Sequence, residues 1–210
     1  MPSKRSPADS SAAKPAEVDA PPRIIGGDLR GRKLVYSGDM RTRPMKDRVR
    51  EAIFNLIGVD VEGKHAVDLF AGTGALGLEA ISRGASGATF VERHFPTADL
   101  IKQSAKALEV EQVCTVLPAN TLLWPRRWPN LPATPWAVFC SPPYDLYLDH
   151  AAEMLALVGG LMDRAAPGSV FCVEADQRFD FNTLPHADQW DVRTYPPAVV
   201  GIWRKEPLAA

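Results

Sequence analysis

From His65 to Trp203 the chain alternates short apolar runs with longer stretches of helical periodicity, and this rhythm limits the possible folds more than any other feature. His65 to Phe70 reads as a first strand, Ala75 to Arg83 as a helix stopped by Gly84, and Ala88 to Glu92 as a second strand. Pro96 begins a helix that runs to Leu108, Val113 to Leu117 is a third strand, and Trp136 to Ser141 is a fourth. Leu148 to Val158 reads as a helix and Ser169 to Glu174 as a fifth strand, while Trp190 to Thr194 and Ala198 to Trp203 suit a closing antiparallel pair. Parallel neighbours need a crossover, which the intervening helices supply. The pattern therefore predicts an α/β fold of Rossmann-like type, a mostly parallel sheet with helices on both faces. Ligands on such sheets bind at the carboxyl ends of the strands.

Two segments fall at those ends. Asp68-Leu69-Phe70-Ala71-Gly72-Thr73-Gly74 follows the first strand, and its glycines let the backbone turn sharply and approach a ligand. Gly72 to Gly77 also satisfies the dinucleotide fingerprint G-x-G-x-x-G. A nicotinamide enzyme would need a substrate domain and a hydride-transfer site, and 210 residues with a basic terminal segment supply neither. Asp68, Phe70, Gly72, Thr73 and Gly74 are the candidate loop residues for a cofactor. Asp68, on the strand, can accept hydrogen bonds from the amino-acid end of that cofactor or order the loop. Glu92, ending the second strand, suits a pair of ribose hydroxyls, and Asn120, after the third, could hold an adenine edge. Glu79 and Arg83, spaced i, i+4, predict a helix-surface pair.

Ser141-Pro142-Pro143-Tyr144 directly follows the fourth strand. An exocyclic amine on a nucleobase is a poor nucleophile because its lone pair is delocalised into the ring. Acceptors for its protons can turn that lone pair toward an electrophile, and fixed geometry contributes much of the rate. The Ser141 oxygen and the Pro142 carbonyl are candidate acceptors, Pro142 and Pro143 stiffen the turn, and Tyr144 offers a ring on which an extruded base can stack. Alone, the segment reads as a rigid turn; its place beside the glycine loop predicts an S-adenosylmethionine-dependent amino-methyltransferase.

The net charge of −1 conceals an asymmetry. Residues 23 to 50 carry nine basic groups against Asp28, Asp39 and Asp47, a balance of +6; residues 1 to 22 are neutral, leaving −7 for the rest. A basic terminal segment on an acidic body predicts a polyanionic partner held by phosphate contacts. Arg23, Arg30, Arg32, Lys33, Arg43 and Arg48 are the candidate contacts. Within this extension, 23–58, Arg23 to Tyr36 reads as a basic β-hairpin. Thr42-Arg43-Pro44 opens a helix with Val49, Ile53, Leu56 and Ile57 on its buried face, and Gly58 ends it. Residues 59–210 form the catalytic domain. Met1 to Pro22 is rich in Pro, Ala and Ser and predicts a disordered tail. Leu122 to Pro135 is broken by four prolines; its Trp124, Arg126, Arg127 and Trp128 suit either an RNA channel or a packed loop.

No run approaches the roughly 18 apolar residues of a membrane span. Cys114, Cys140 and Cys172 lie in strand-like runs without Cys-x-x-Cys spacing and read as buried, reduced thiols, while the four histidines form no metal-ligand pattern. A cytoplasmic, metal-free, monomeric protein is expected.

From Arg23 to Trp203 the chain resembles the RsmD-type methyltransferases, which modify a guanine N2 in small-subunit (16S) ribosomal RNA. The resemblance is carried by Arg23-Ile24-Ile25-Gly26-Gly27, by Leu29 to Leu34, by Arg43-Pro44 with Asp47 to Glu51, and by Asp68 to Gly77. It implies a class I methyltransferase fold, with S-adenosylhomocysteine as by-product and rRNA or the assembling small subunit as partner. It also implies cofactor roles for Asp68, Gly72, Gly74, Glu92 and Asn120 and a target-amine role for Ser141 to Tyr144. The basic segment would contact rRNA or help cover the cofactor. One position departs: the family usually carries Asp or Asn where this chain has Ser141. Ser-Pro-Pro-Tyr resembles instead the motif of cytosine-N4 DNA methyltransferases. Amino methylation of another base, in DNA or RNA, and a non-catalytic RNA-binding assembly factor are the alternatives.

Overall fold

The computed structural model describes residues 21–39, 44–126 and 129–207. Arg43, Arg127, Trp128 and residues 1–20 of the expected tail lie outside the described residues.

Seven strands form one sheet: β1 His65–Asp68, β2 Gly87–Val91, β3 Cys114–Leu117, β4 Trp136–Cys140, β5 Val170–Asp176, β6 Asp191–Tyr195 and β7 Ala198–Arg204. Their order is β3-β2-β1-β4-β5-β7-β6. The first five run parallel, and β7 is antiparallel to both β5 and β6. The chain direction across the sheet reverses between β1 and β4, whose register pairs Asp68 with Phe139. This switch point opens a crevice at the carboxyl ends of the strands.

The helices are α1 Asp47–Ile57, α2 Ala75–Ser82, α3 Phe95–Ala107, α4 Leu146–Asp149 and α5 Ala151–Arg164. Alternate strand residues point to opposite faces. Ala66, Phe90, Phe139, Cys172 and Val200 share one core with Ile53 and Phe54 of α1, Leu78 of α2 and Ile101 of α3. Val67, Val138, Phe171 and Val173 share the other with Met154, Leu157 and Leu161 of α5. The predicted strands and helices are present with small shifts of their ends. The predicted Leu148 to Val158 helix becomes α4 and α5, separated at His150. Among the described residues no helix is long and apolar enough to cross a membrane.

The amino-terminal extension departs from expectation in two places. The predicted hairpin over Arg23 to Tyr36 is present in short, irregular form: one antiparallel bridge, Arg23 to Lys33, flanked by backbone bonds from Ile24 N–H to the Arg32 carbonyl at 2.9 Å, Gly31 N–H to the Ile24 carbonyl at 2.8 Å and Leu34 N–H to the Pro22 carbonyl at 2.8 Å. Its other backbone donors leave the hairpin: Ile25 and Gly26 N–H donate to Glu79 at 2.7 Å each, Leu29 N–H to Ser82 Oγ and Val35 N–H to Ser104 Oγ. A segment whose donors are taken by α2 and α3 has few left for a ladder. Helix α1 begins at Asp47 rather than at Pro44, because Pro44 to Lys46 precede it without helical structure and Lys46 is extended. Asp47 in the first turn complements the helix dipole, and Gly58, at φ +62°, ends the helix as predicted. Ile24, Leu34, Val49 and Ile53 lie in the same core as the sheet.

Glu79 and Arg83 are not a surface pair. Glu79 is fully buried, 2.8 Å from Arg83 Nε and 3.8 Å from Arg50 Nε. Arg50, counted in the basic balance of residues 23 to 50, is fully buried too; it donates to the Arg23 carbonyl and to Asp47. The segment after Asn120 is a short 3-10 helix, Thr121–Arg126, whose Trp124 is buried in the core. Cys140 and Cys172 are buried and Cys114 is half-buried, all as free thiols.

Candidate active site at the carboxyl ends of β1, β2 and β4

The turn after β1 is tied to both neighbouring strands. Leu69 N–H donates to the Phe139 carbonyl at 3.0 Å and Ala71 N–H to the Val91 carbonyl at 2.9 Å. Gly74 sits at φ +76°, a left-handed conformation that favours glycine, and from there α2 begins. A Cβ on Gly77 would lie 2.3 Å from the Phe90 ring, so this glycine lets α2 press against β2. The glycines of the fingerprint thus have separate tasks, turning and close packing.

Asp68 is 1% exposed and accepts the Gly77 N–H at 3.1 Å. Burial pushes its carboxyl up to about 7, against the pull of that hydrogen bond and with a further push from Glu92. It braces α2 from beneath and is not on the cavity wall, and neither are Thr73 and Gly74. Phe70, Gly72, Glu92 and Asn120 are. The Glu92 carboxylate is held by two backbone donors, Gly72 N–H at 2.9 Å and His94 N–H at 2.7 Å. Two acceptor oxygens carry about four lone-pair sites, so each oxygen keeps capacity for a ligand. Asn120 Oδ1 accepts the Leu122 N–H at 3.1 Å, a local turn that orients its amide.

Ser141, Pro142, Pro143 and Tyr144 line the same cavity, whose volume is about 720 Å³. That lies within the range of small-molecule sites. Pro44, Met45, Lys46 and Val49 border it from the extension, and Pro197 and Ala198 from the start of β7. The two segments singled out in the sequence therefore face one space.

Sequence reasoning missed Glu174. It lies near the end of β5, is 5% exposed, and lines the cavity. Ser141 Oγ donates to one of its oxygens and Tyr144 Oη to the other. Burial raises its pKa, opposed by these two hydroxyl bonds. Tyr144 is raised in turn, by burial first and then by the carboxylate. A carboxylate ending a buried strand, as Glu92 does, was the available signal.

Of the candidate RNA contacts, Arg23 pairs with Asp47 at 3.2 Å and Arg32 donates to the Ala107 carbonyl at the end of α3. Arg30, Lys33 and Arg48 are exposed. Among the described residues no three side chains gather as a metal-binding group.

The sequence model of the family described as Conserved hypothetical protein 95 matches residues 22–197. Ribosomal RNA small subunit methyltransferase D of Haemophilus influenzae is 34% identical over 137 residues, covering 63% of this chain and 69% of that protein. The protein of the same name from Escherichia coli K12 is 53% identical over 70 residues, 33% of this chain and 35% of its own length. YlbH of Bacillus subtilis is 44% identical over 88 residues, 42% of this chain and 48% of that protein. For the last two, the match spans less than two thirds of the relative. Among solved structures, yhhF from Escherichia coli superposes with a TM-score of 0.72 at 28% identity, covering 89% of this chain and 99% of that one. An RNA methyltransferase from Salinibacter ruber, in complex with S-adenosyl-L-homocysteine, has a TM-score of 0.57 at 16% identity, over 80% and 96% of the two chains. That likeness shows the fold, the Rossmann-like class I methyltransferase fold. With its model matched over most of the chain, the Conserved hypothetical protein 95 family, that of the RsmD-type methyltransferases, is the one to which this protein belongs.

Proposed function

We propose that the protein transfers a methyl group from S-adenosylmethionine to the exocyclic N2 amine of a guanine in small-subunit (16S) ribosomal RNA. The observation that carries this reading is the shared cavity, lined by Gly72 of the turn and Glu92 together with Ser141 to Tyr144. The named methyltransferases among its relatives support the reaction class and the rRNA substrate.

The residues fit the cofactor. Glu92, fixed by two backbone N–H groups, has acceptor capacity for ribose hydroxyls, and Phe70 and Asn120 border the space an adenine would take. Asp68, with Thr73 and Gly74, acts from behind the wall by ordering the loop. When bound, the cofactor supplies an electrophilic methyl group on a sulfonium and leaves as S-adenosylhomocysteine. The chain's own part is positional. Ser141 Oγ and the Pro142 carbonyl accept from the amine, drawing its lone pair out of conjugation with the ring; the proton displaced from nitrogen by the methyl group passes to water, and Tyr144 stacks on the base. Arg23, Arg30, Arg32, Lys33, Arg43 and Arg48 hold phosphates, while Pro44 to Lys46 help close the cofactor space. The partner is rRNA or the assembling small subunit, met by a cytoplasmic monomer.

The test is methyl transfer to small ribosomal subunits, free 16S rRNA and duplex DNA, followed by nucleoside analysis. N2-methylguanine from the ribosomal substrates is expected. Methylcytosine without methylguanine would favour the second reading, which Ser-Pro-Pro-Tyr itself suggests. RNA binding without any product would instead mark an assembly factor.

A further inference from the structure

Ser141 stands where the family usually has Asp or Asn, and the substitution changes the hydrogen-bonding logic of the site. A serine hydroxyl carries one proton as well as two lone pairs. If free to rotate, it donates to a bare ring nitrogen as readily as it accepts from an amine. Glu174 removes that freedom: it takes the proton of Ser141 on one oxygen and that of Tyr144 on the other. Each hydroxyl has a single proton to give, so both present only lone pairs elsewhere. The arrangement is built into the sheet. β4 leads directly into Ser141, β5 carries Glu174, and the register sets Cys140 beside Val173.

We propose that Glu174 is a positioning residue which, through Ser141 and Tyr144, makes the target wall accept-only and thereby selects guanine. This rests on the methyl-transfer reading above. Guanine offers two donors side by side on its Watson–Crick edge, the ring N1–H and the N2 amine. Adenine and cytosine set a bare ring nitrogen beside the amine, which asks for a donor. The carboxylate that the family usually places at position 141, as Asp, is here supplied from the neighbouring strand, with the serine hydroxyl as intermediary.

The geometry requires Glu174 to be ionised. A protonated carboxyl would donate to one of the two hydroxyls, and that hydroxyl would have to send its own proton into the cavity. The titratable groups around Glu174 are Tyr144, Tyr147, Cys140 and Cys172, each pushed up by burial and neutral at working pH; across β7 its partner is Val200. Burial raises the Glu174 carboxyl, so methyl transfer falls as pH drops through a midpoint above the usual glutamate range.

The experiment compares the full chain with its Glu174→Gln and Ser141→Asp/Glu174→Gln variants on 16S rRNA and small subunits lacking the modification. It measures kcat and KM against pH, S-adenosylhomocysteine affinity and product nucleosides. Glutamine keeps one acceptor but introduces a donor, so kcat should fall by at least about tenfold. S-adenosylhomocysteine affinity should stay within about twofold, the acid limb should disappear, and Asp at 141 should restore part of the rate. N2-methylguanine from the wild type with an unchanged Glu174→Gln profile overturns the inference alone. So does a parallel loss of kcat and cofactor affinity, which marks a structural role. Wild-type methylation of cytosine or adenine, or no product at all, overturns both readings. Should Glu174→Gln not fold, carbon-13 NMR titration of glutamates in the wild type decides: a Glu174 midpoint within the ordinary range, or apart from the acid limb of kcat, overturns it.

Discussion

Asp68 shows how much a single buried group can cost. Its carboxyl has one hydrogen bond, to Gly77 N–H, and burial lifts it from 3.8 to about 7 in the folded chain. Between those values the folded state holds a proton that the unfolded state has released. Stability therefore falls as pH rises through this window and levels off above it. Asp68→Asn keeps an acceptor for Gly77 and removes the titration. Thermal melts between about pH 4 and about pH 8 should be flatter for the variant, with a Tm at the upper end no lower than wild type. A wild-type slope in the variant would assign the pH dependence to other groups. At this scale the sequence was informative about residue type and less so about role. It allowed Asp68 to contact a cofactor or order the loop, and only the folded chain shows its buried contact with α2. Glu174 escaped notice because its partners come from another strand and the turn that follows it.

Helix α2 is the element on which the extension is built. Glu79 binds the Ile25 and Gly26 amides, Arg83 and, at longer range, Arg50; Ser82 takes the Leu29 amide. Gly27, at φ +73°, passes so near the Ser82 carbonyl that a Cβ there would lie 1.7 Å from its oxygen. Removing one partner of a buried ionic network leaves the other charge uncompensated, typically at about 3–5 kcal/mol. Glu79→Gln should therefore lower the unfolding free energy by roughly that amount, since Asp47 alone is left to balance the buried Arg50. Urea unfolding measures it, and a loss below about 1 kcal/mol would mean that the network is not what docks the extension. The i, i+4 spacing of Glu79 and Arg83 was legible in the sequence. That residues 24–29 would cover them was not, because helix periodicity shows which residues share a face and never what lies against it.

Across the whole molecule, a basic extension caps an acidic body at the edge of the cavity. Burial and pairing divide its cations: Arg50 is internal, Arg23 and Arg32 are exposed but engaged with the protein, and Arg30, Lys33 and Arg48 are exposed. Arg30→Ala and Lys33→Ala should each weaken rRNA binding and reduce the slope of log affinity against log salt by about 1. Arg32→Ala should change that slope less and lower stability slightly, since its guanidinium also holds the end of α3. Fluorescence titrations at several salt concentrations test both, and an unchanged slope for Arg30→Ala and Lys33→Ala would remove the phosphate-contact assignment.

Sequence alone determined the order of strands and helices, the place of both chemical segments at strand ends, and the charge imbalance. Each of these is local: periodicity, turn residues and composition are written along the chain. What required the folded molecule was adjacency across the sheet. The switch between β1 and β4 brings the glycine turn to the Ser-Pro-Pro-Tyr segment, and the pairing of β4 with β5 sets Glu174 behind Ser141. Hydrogen bonds between distant segments also tied the hairpin down as a strap over α2 and placed Arg50 and Glu79 inside. Partners in the folded chain are chosen by strand register and burial, and neither has a local signature.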